Sequence, residues 1–164
     1  MPPLLGAKLR YLRKQRQMTQ IVFADLLGLG NQSSLSNLES GRRPPSLELV
    51  VKIAIKLEVS VDYLLQDNIP IEQNAPSRTV RQIAEAPAAY GYSTFGSRLQ
   101  HLRRSMGETQ ASLAQALGLT SHTHISLLEN DRKGPSIELL LRISEHFGTT
   151  SDELTRNITL ISEE

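Results

Sequence analysis

Apolar residues in the first 66 positions recur three or four residues apart, which is the spacing of one face of an α-helix. The clearest sets are Leu9 with Leu12, Phe23 with Leu27, Leu35 with Leu38, and Leu49 with Ile53 and Leu57. The pattern predicts five short helices, over 6–17, 19–27, 31–39, 46–57 and 61–66. No stretch has the alternation of strand and helix that a βαβ unit requires.

Residues that favour the beginnings and ends of helices stand at the borders of these segments. Thr19 and Ser46 have side-chain oxygens that suit the N-cap of the helix that follows. Gly28 follows the second segment, where a left-handed residue commonly ends a helix. Pro44 and Pro45 prevent the third helix from continuing into the fourth.

The sequence repeats itself at an offset of 90 residues without a gap, because 21 of the 60 positions in 6–65 are identical in 96–155. The chain is therefore a tandem duplication, and the second copy is predicted to have the same five helices 90 positions later. There, Thr150 and Glu153 suit a capping box at the start of the last helix. Solenoid repeats are usually about 20–50 residues long, so this period indicates two small domains instead.

The predicted fold is all-α, with two tandem five-helix domains joined by a Pro-containing linker. We place the first domain at 1–67, the linker at 68–94 and the second domain at 95–164. Three prolines (Pro70, Pro76 and Pro87) exclude a long helix from the linker, although a short one over 79–86 fits between them.

The composition narrows the chemistry of this 164-residue chain. It contains no Cys, which excludes disulfides, thiolate catalysis and Cys-based zinc sites. His122 and His124 lie two positions apart and face different sides of a helix, so they do not form a metal site by themselves. We find no nucleophile with base and acid partners and no Gly-rich phosphate loop. The sequence therefore predicts a protein that is not an enzyme and that uses no metal or other cofactor.

The segment 19–46 has the features of a helix-turn-helix. Ala24 lets two helices approach closely, and Gly28 supplies the positive φ that the turn needs. Leu35 and Leu38 are predicted to anchor the next helix on the core. The outer face of that helix then carries short amide and hydroxyl side chains, those of Gln32, Ser33, Ser34 and Asn37. Such groups can read base edges in the major groove of DNA.

Both copies resemble the λ-repressor-like, Cro/C1-type (XRE) helix-turn-helix domain of bacterial and phage regulators. The resemblance covers about 120 of the 164 residues and rests on the order TQ, A, LG, L, LE and PS, which occurs in both copies. Both copies depart from the family pattern by one extra residue between the turn Gly and the anchor of the reading helix. The resemblance implies that Arg13 pairs with Glu39, as Arg103 does with Glu129, and holds the first helix against the third. It also implies that Gln20 binds a phosphate and supports the start of the reading helix.

The resemblance further implies a set of DNA-binding residues in each copy. In the first copy they are Thr19, Gln20, Asn31, Gln32, Ser33, Ser34, Asn37, Arg42 and Arg43. In the second copy they are Gln110, Ser121, His122, Thr123, Arg132 and Lys133. The arginines that follow the reading helix are expected to bind phosphates, which positions the domain without carrying sequence information.

Charge distinguishes the two copies. Residues 6–65 contain nine Lys or Arg and five Asp or Glu, a net charge of +4, whereas residues 96–155 contain six and seven, a net charge of −1. The second copy also has Asp131 in place of Gly41, beside an expected phosphate, and Leu127 in place of Asn37. Because phosphate neutralisation dominates DNA affinity, we expect the first domain to be the principal reader. The second domain is then an auxiliary reader, a dimerisation or partner module, or a degenerate copy.

These features predict a sequence-specific DNA-binding transcriptional regulator, a repressor by resemblance, whose partner is double-stranded DNA. The alternative is an antitoxin-like or adaptor protein with one DNA-binding and one protein-binding domain. A homodimer and a protein partner for the second domain are both open. The longest uncharged run, 109–128, is too polar to span a membrane, and we expect a cytoplasmic, nucleoid-associated protein.

Overall fold

The computed structural model describes residues 4–72 and 94–156, and all regular structure in these ranges is helical. This confirms the predicted all-α fold. The chain divides into two compact units, and within the described residues each unit holds five helices. Most of the predicted linker, its predicted helix at 79–86 and residues 157–164 lie outside the described residues. None of the described helices is long and apolar enough to cross a membrane.

The helices agree with the predicted segments to within two residues at each bound. Those of the first domain are α1 (Leu5–Gln15), α2 (Gln20–Leu26), α3 (Gln32–Glu39), α4 (Leu47–Leu57) and α5 (Val61–Leu65). Those of the second domain are α6 (Phe95–Ser105), α7 (Gln110–Ala116), α8 (His122–Glu129), α9 (Ile137–Phe147) and α10 (Ser151–Thr155).

The predicted caps are confirmed with one exception. The hydroxyls of Thr19 and Ser46 accept hydrogen bonds from the backbone of the following helix, and Gly28 ends its helix with a φ of 68°. Thr150 also accepts from the backbone N–H of Glu153, at 3.1 Å, but the capping box predicted there is wrong. The Glu153 carboxylate instead accepts from the hydroxyl of Thr149, four residues earlier, at 2.8 Å.

Each core consists mainly of Leu, Ile, Val and Ala side chains, and in both domains the first helix packs directly on the end of the third. Gly6 in α1 and Gly96 in α6 make this approach possible. A Cβ at Gly6 would lie 2.5 Å from the carbonyl oxygen of Glu39, and one at Gly96 would lie 2.6 Å from that of Glu129. Any larger residue would push the two helices apart.

A buried cation joins the first helix of the first domain to the end of its fifth. Lys8 is one of the nine basic residues of the first copy, but its side chain is fully buried. Its Nζ donates to the carbonyl oxygens of Tyr63 and Gln66, both at 2.6 Å, and burial lowers its pKa against the opposing effect of Asp67. The hydroxyl of Tyr63 in turn donates to the carbonyl of Ile71 at 2.7 Å, so the chain beyond α5 is also held on this domain.

The second domain makes the same connection with a different residue. Arg98, the counterpart of Lys8, donates from Nη1 to the carbonyl oxygens of Glu153 and Leu154, at 3.1 and 3.0 Å. Burial lowers the pKa of Arg98. In both domains a cation therefore satisfies carbonyls at the C-terminal end of the fifth helix, where the helix dipole also favours positive charge.

Candidate nucleic-acid interface

Helices α2 and α3 form the predicted helix-turn-helix. Ala24 is 1% exposed and permits the close approach of the two helices. The turn between them contains Gly28 and Gly30, both with positive φ. Asn31 is the N-cap of α3, and its Oδ1 accepts from the backbone N–H of Ser34 at 2.8 Å. The local sequence thus fixes where the reading helix begins.

The outer face of α3 is polar and carries no charge. Leu35 and Leu38 are buried beneath it, as predicted. Gln32 and Ser33 are exposed, whereas Ser34 and Asn37 are half-buried. Amide and hydroxyl groups presented in this way can donate to and accept from base edges.

A chain of hydrogen bonds connects this face to a buried ion pair. Arg13 donates from Nε to Oε1 of Glu39 at 2.6 Å and from Nη2 to Oε2 at 3.1 Å. Gln20 donates from Nε2 to Oε2 of the same carboxylate at 3.1 Å, and Gln32 donates to Oε1 of Gln20 at 3.0 Å. The Arg13–Glu39 pair is as implied by the family resemblance, and Gln20 supports the first residue of the reading helix.

The surroundings of Glu39 favour its charged form. Its side chain is fully buried, and burial alone would raise its pKa. Hydrogen bonds from Arg13 and Gln20, together with the charges of Arg13 and Arg10, outweigh burial and hold the pKa of Glu39 below its ordinary value. The hydrogen bond to this carboxylate also raises the pKa of Arg13. The pair therefore stays ionised at neutral pH.

Two exposed arginines follow the reading helix. Gly41 ends α3 with a φ of 70°, and the backbone N–H groups of Arg42 and Arg43 both donate to the carbonyl of Asn37, at 3.0 and 3.3 Å. These hydrogen bonds place both arginines beside the last predicted base reader. An exposed cation at the edge of a reading face can neutralise a phosphate.

Sequence analysis did not select Arg10 as a site residue. Its Nε lies 3.7 Å from Oε2 of Glu39 and its side chain is half exposed. It lines a cleft of about 380 Å³ between α1 and the end of α3, together with Gly6, Lys14 and Gly41. The spacing of Arg10 and Lys14, one helical turn apart, was the available signal.

The second domain repeats the buried ion pair and the glutamine that contacts it, but not the reading face. Arg103 donates to Glu129 at 2.6 and 3.0 Å, and Gln110 donates to the same carboxylate at 2.8 Å. The pKa of Glu129 is lowered, because hydrogen bonds from Arg103 and Gln110 and the charge of Arg103 outweigh its burial. Leu127, half-buried, takes the place of Asn37.

The remaining predicted residues of the second domain lie at its corresponding surface. Ser121 is the N-cap of α8 and accepts from the backbone of Thr123 at 3.1 Å. The side chains of His122, Thr123, Arg132 and Lys133 are exposed. Within residues 4–72 and 94–156, no group of three or more His, Asp or Glu residues is placed to hold a metal ion.

Comparison with known proteins agrees with this anatomy. A family model described as helix-turn-helix matches the chain twice, over residues 9–64 and 99–154. The chain is 30% identical over 159 residues to Antitoxin PezA of Streptococcus pneumoniae, covering 87% of this chain and 97% of the antitoxin. No solved structure matches it significantly.

Two transcriptional regulators match shorter parts of the chain. HTH-type transcriptional regulator PrpR of Mycobacterium tuberculosis is 43% identical over 63 residues, which are 37% of this chain and 13% of the regulator. HTH-type transcriptional regulator ImmR of Bacillus subtilis is 33% identical over 82 residues, 50% of this chain and 64% of the regulator. The chain spans less than two thirds of either. Because both family matches fall on the two helix-turn-helix units, the chain belongs to the Cro/C1-type helix-turn-helix family.

Proposed function

We propose that the protein is a sequence-specific DNA-binding transcriptional regulator that acts as a repressor, and that α3 enters the major groove. The observation that carries this proposal is the exposed, uncharged face of α3, held by hydrogen bonds through Gln20 to the Arg13–Glu39 pair. A face supported in this way presents its amide groups in one arrangement, which base readout requires.

Different residues carry specificity and affinity in this proposal. Gln32 and Asn37 discriminate bases, each with an amide that can donate and accept at one base pair. Arg42 and Arg43 bind phosphates beside the groove. Thr19 and Asn31 act mainly as helix caps, because their side-chain oxygens already accept backbone hydrogen bonds.

The first domain is the principal reader, and its charge of +4 against −1 for the second supports this assignment. Two domains in one chain can occupy two half-sites about one helical turn, ~34 Å, apart, and a homodimer can occupy four. Occupation of a promoter excludes polymerase, so a regulator of this kind represses. It acts where the DNA is, in the cytoplasm and at the nucleoid, and by binding, not by catalysis.

The test is sequencing of genomic DNA fragments captured by the full chain, beside a Gln32→Ala/Asn37→Ala control. We expect the unaltered chain to enrich one motif and the control to lose it. Each substitution alone should cost about 1–3 kcal/mol at one base pair. An Arg42→Ala variant should instead weaken binding to all sequences. Enrichment that is identical in the unaltered chain and the control would contradict readout by α3.

A second function has a specific observation in its favour. The relative that covers nearly the whole chain is named an antitoxin, and Leu127 makes the reading face of the second domain more apolar than that of the first. In this alternative the first domain binds DNA and the second binds a protein partner. Capture with a Leu127→Asn variant distinguishes the two functions. Loss of a co-purifying protein with unchanged DNA enrichment would favour the adaptor, whereas an altered DNA motif would favour a second reader.

A further inference from the structure

We propose that the carboxylate of Asp131 occupies, in the second domain, the position that a DNA phosphate takes in the first domain, and so prevents the second domain from binding phosphate there. This inference rests on the proposed function, because it assumes that the first domain binds DNA. It attributes to Asp131 a difference in phosphate binding between two domains of common origin.

The second domain has an internal anion at the start of its first helix. Asp131 lies just after α8, and its Oδ1 accepts from the backbone N–H of Gly96 in the first turn of α6, at 2.8 Å. Thr94 caps the same turn by accepting from the N–H of Ser97 at 3.2 Å. The N-terminal end of α6 is therefore already occupied by an anion and a cap.

The first domain has no carboxylate at the position of Asp131. Gly41 stands where Asp131 stands in the second domain, with a φ of 70° against 53°. The N-cap residue Leu4 makes no side-chain capping hydrogen bond, and its own backbone N–H donates to Oδ1 of Asp67 at 3.0 Å. The space beside Gly6 and Gly41 is the cleft of about 380 Å³ already described. Helix N-termini bind anions through free N–H groups and the helix dipole. In the second domain, the bond from Gly96 to Asp131 shows that a carboxylate oxygen can reach the N–H equivalent to that of Gly6.

The charges around the cleft favour a phosphate in the first domain, although the second domain keeps a cation, Arg104, at the position of Lys14. Arg10 and Lys14 line it, and the second domain has Gln100 in place of Arg10. Two carboxylates lie nearby. Glu39 is neutralised by its pairing with Arg13, and Asp67 accepts from the N–H of Leu4, the N-cap of α1, two residues before Gly6. Since Gly41 directly precedes Arg42, a phosphate in the cleft would continue the row of contacts made by the exposed arginines.

The test measures DNA affinity of the full chain after the first domain has been disabled by Gln32→Ala, Asn37→Ala, Arg42→Ala and Arg43→Ala. In this background we compare Asp131→Gly, Asp131→Asn and Glu145→Gln for binding to a random-sequence duplex as a function of salt. We expect Asp131→Gly to tighten binding about fivefold and to steepen the log–log salt slope by about 0.9, the value for one added phosphate contact. Asp131→Asn should give a smaller gain, because it keeps an acceptor for Gly96.

Glu145→Gln controls for charge, since it removes one exposed negative charge elsewhere in the second domain. If it changes the salt slope as much as Asp131→Gly does, the proposal is wrong. The reciprocal Gly41→Asp change in the otherwise unaltered chain should flatten the slope by about 0.9. Thermal unfolding verifies that each variant is folded, which matters most for Gly41→Asp because it places a side chain on a left-handed backbone.

An amide NMR titration with the same duplex gives an independent readout. In the unaltered chain the Gly6 amide should shift and the Gly96 amide should not, whereas in Asp131→Gly both should shift. A Gly96 shift in the unaltered chain would overturn the proposal. Failure here is distinguishable from failure of the proposed function, because this test uses random DNA and the genomic capture tests sequence preference.

Discussion

The Nε of Arg103 lies 2.6 Å from Oε1 of Glu129, and the Nε of Arg13 lies at the same distance from Oε1 of Glu39. Both carboxylates are fully buried, so each domain encloses one ion pair between its first and third helices. A buried ion pair contributes little net stability but is costly to break, because the remaining charge then lacks a partner.

Removing one partner of an ion pair should therefore destabilise the domain far more than replacing both partners by apolar residues. We expect Arg103→Met to destabilise the second domain by about 3–5 kcal/mol, and Arg103→Met/Glu129→Leu to recover most of that loss. Urea unfolding followed by circular dichroism measures both. A single variant within ~1 kcal/mol of the unaltered chain would mean that water reaches the unpaired carboxylate.

The same carboxylates should make stability fall in acid. Their folded-state pKa values lie below the ordinary value for glutamate, about 4.3, which applies to the unfolded chain. The stabilisation is complete above that pH and is lost as the pH falls through the folded pKa. Urea unfolding at a series of pH values from ~6 to ~3 measures the loss. The Arg103→Met/Glu129→Leu variant is the control, and an equally steep loss in it would exclude Glu129 as the cause.

The duplication offers matched replacements for strained residues. Gln17 and Glu58 have φ values of 52° and 54°, and the second domain has Gly107 and Gly148 at the equivalent positions. A left-handed residue other than Gly costs about 1–2 kcal/mol. Replacing it by Gly relieves that strain, but part of the gain is lost because Gly has more conformational entropy in the unfolded chain. We expect Gln17→Gly and Glu58→Gly each to stabilise the first domain by about 0.5–1 kcal/mol. The reciprocal Gly148→Glu should lower the midpoint of thermal unfolding. A raised midpoint would show that the left-handed backbone at this position does not strain a side chain.

Two glycines in the second domain should differ in their tolerance of alanine. Gly96→Ala places a methyl group against the backbone of Glu129, and we expect a loss of about 1–3 kcal/mol, as for other overpacked sites. Gly134→Ala is the control, because nothing lies within 4 Å of its added Cβ and its φ is not left-handed. Thermal unfolding compares the two. Equal midpoints would show that α6 can move away from α8 at little cost.

Sequence reasoning succeeded where structure depends on near neighbours. Helix spacing, the Thr19 and Ser46 caps and the Gly28 turn follow from local chemistry, and the repeat with its family resemblance supplied the Arg13–Glu39 pair. It did not predict the burial of Lys8. A lysine on a basic helix is normally exposed, and its partners here, the carbonyls at the end of α5, are distant in the sequence. Asp131 was interpreted as a charge beside a phosphate for the same reason. Its bond to Gly96 joins positions 35 residues apart.

The contacts of Lys8 and Arg98 have an evolutionary consequence. Each ties the segment where a domain's first helix starts to the segment where its last helix ends, so the chain enters and leaves each domain at neighbouring points. A unit with adjoining entry and exit is a cassette that can be copied in tandem or inserted elsewhere without opening its core. This geometry accounts for a duplication that left both cores intact while their surfaces diverged.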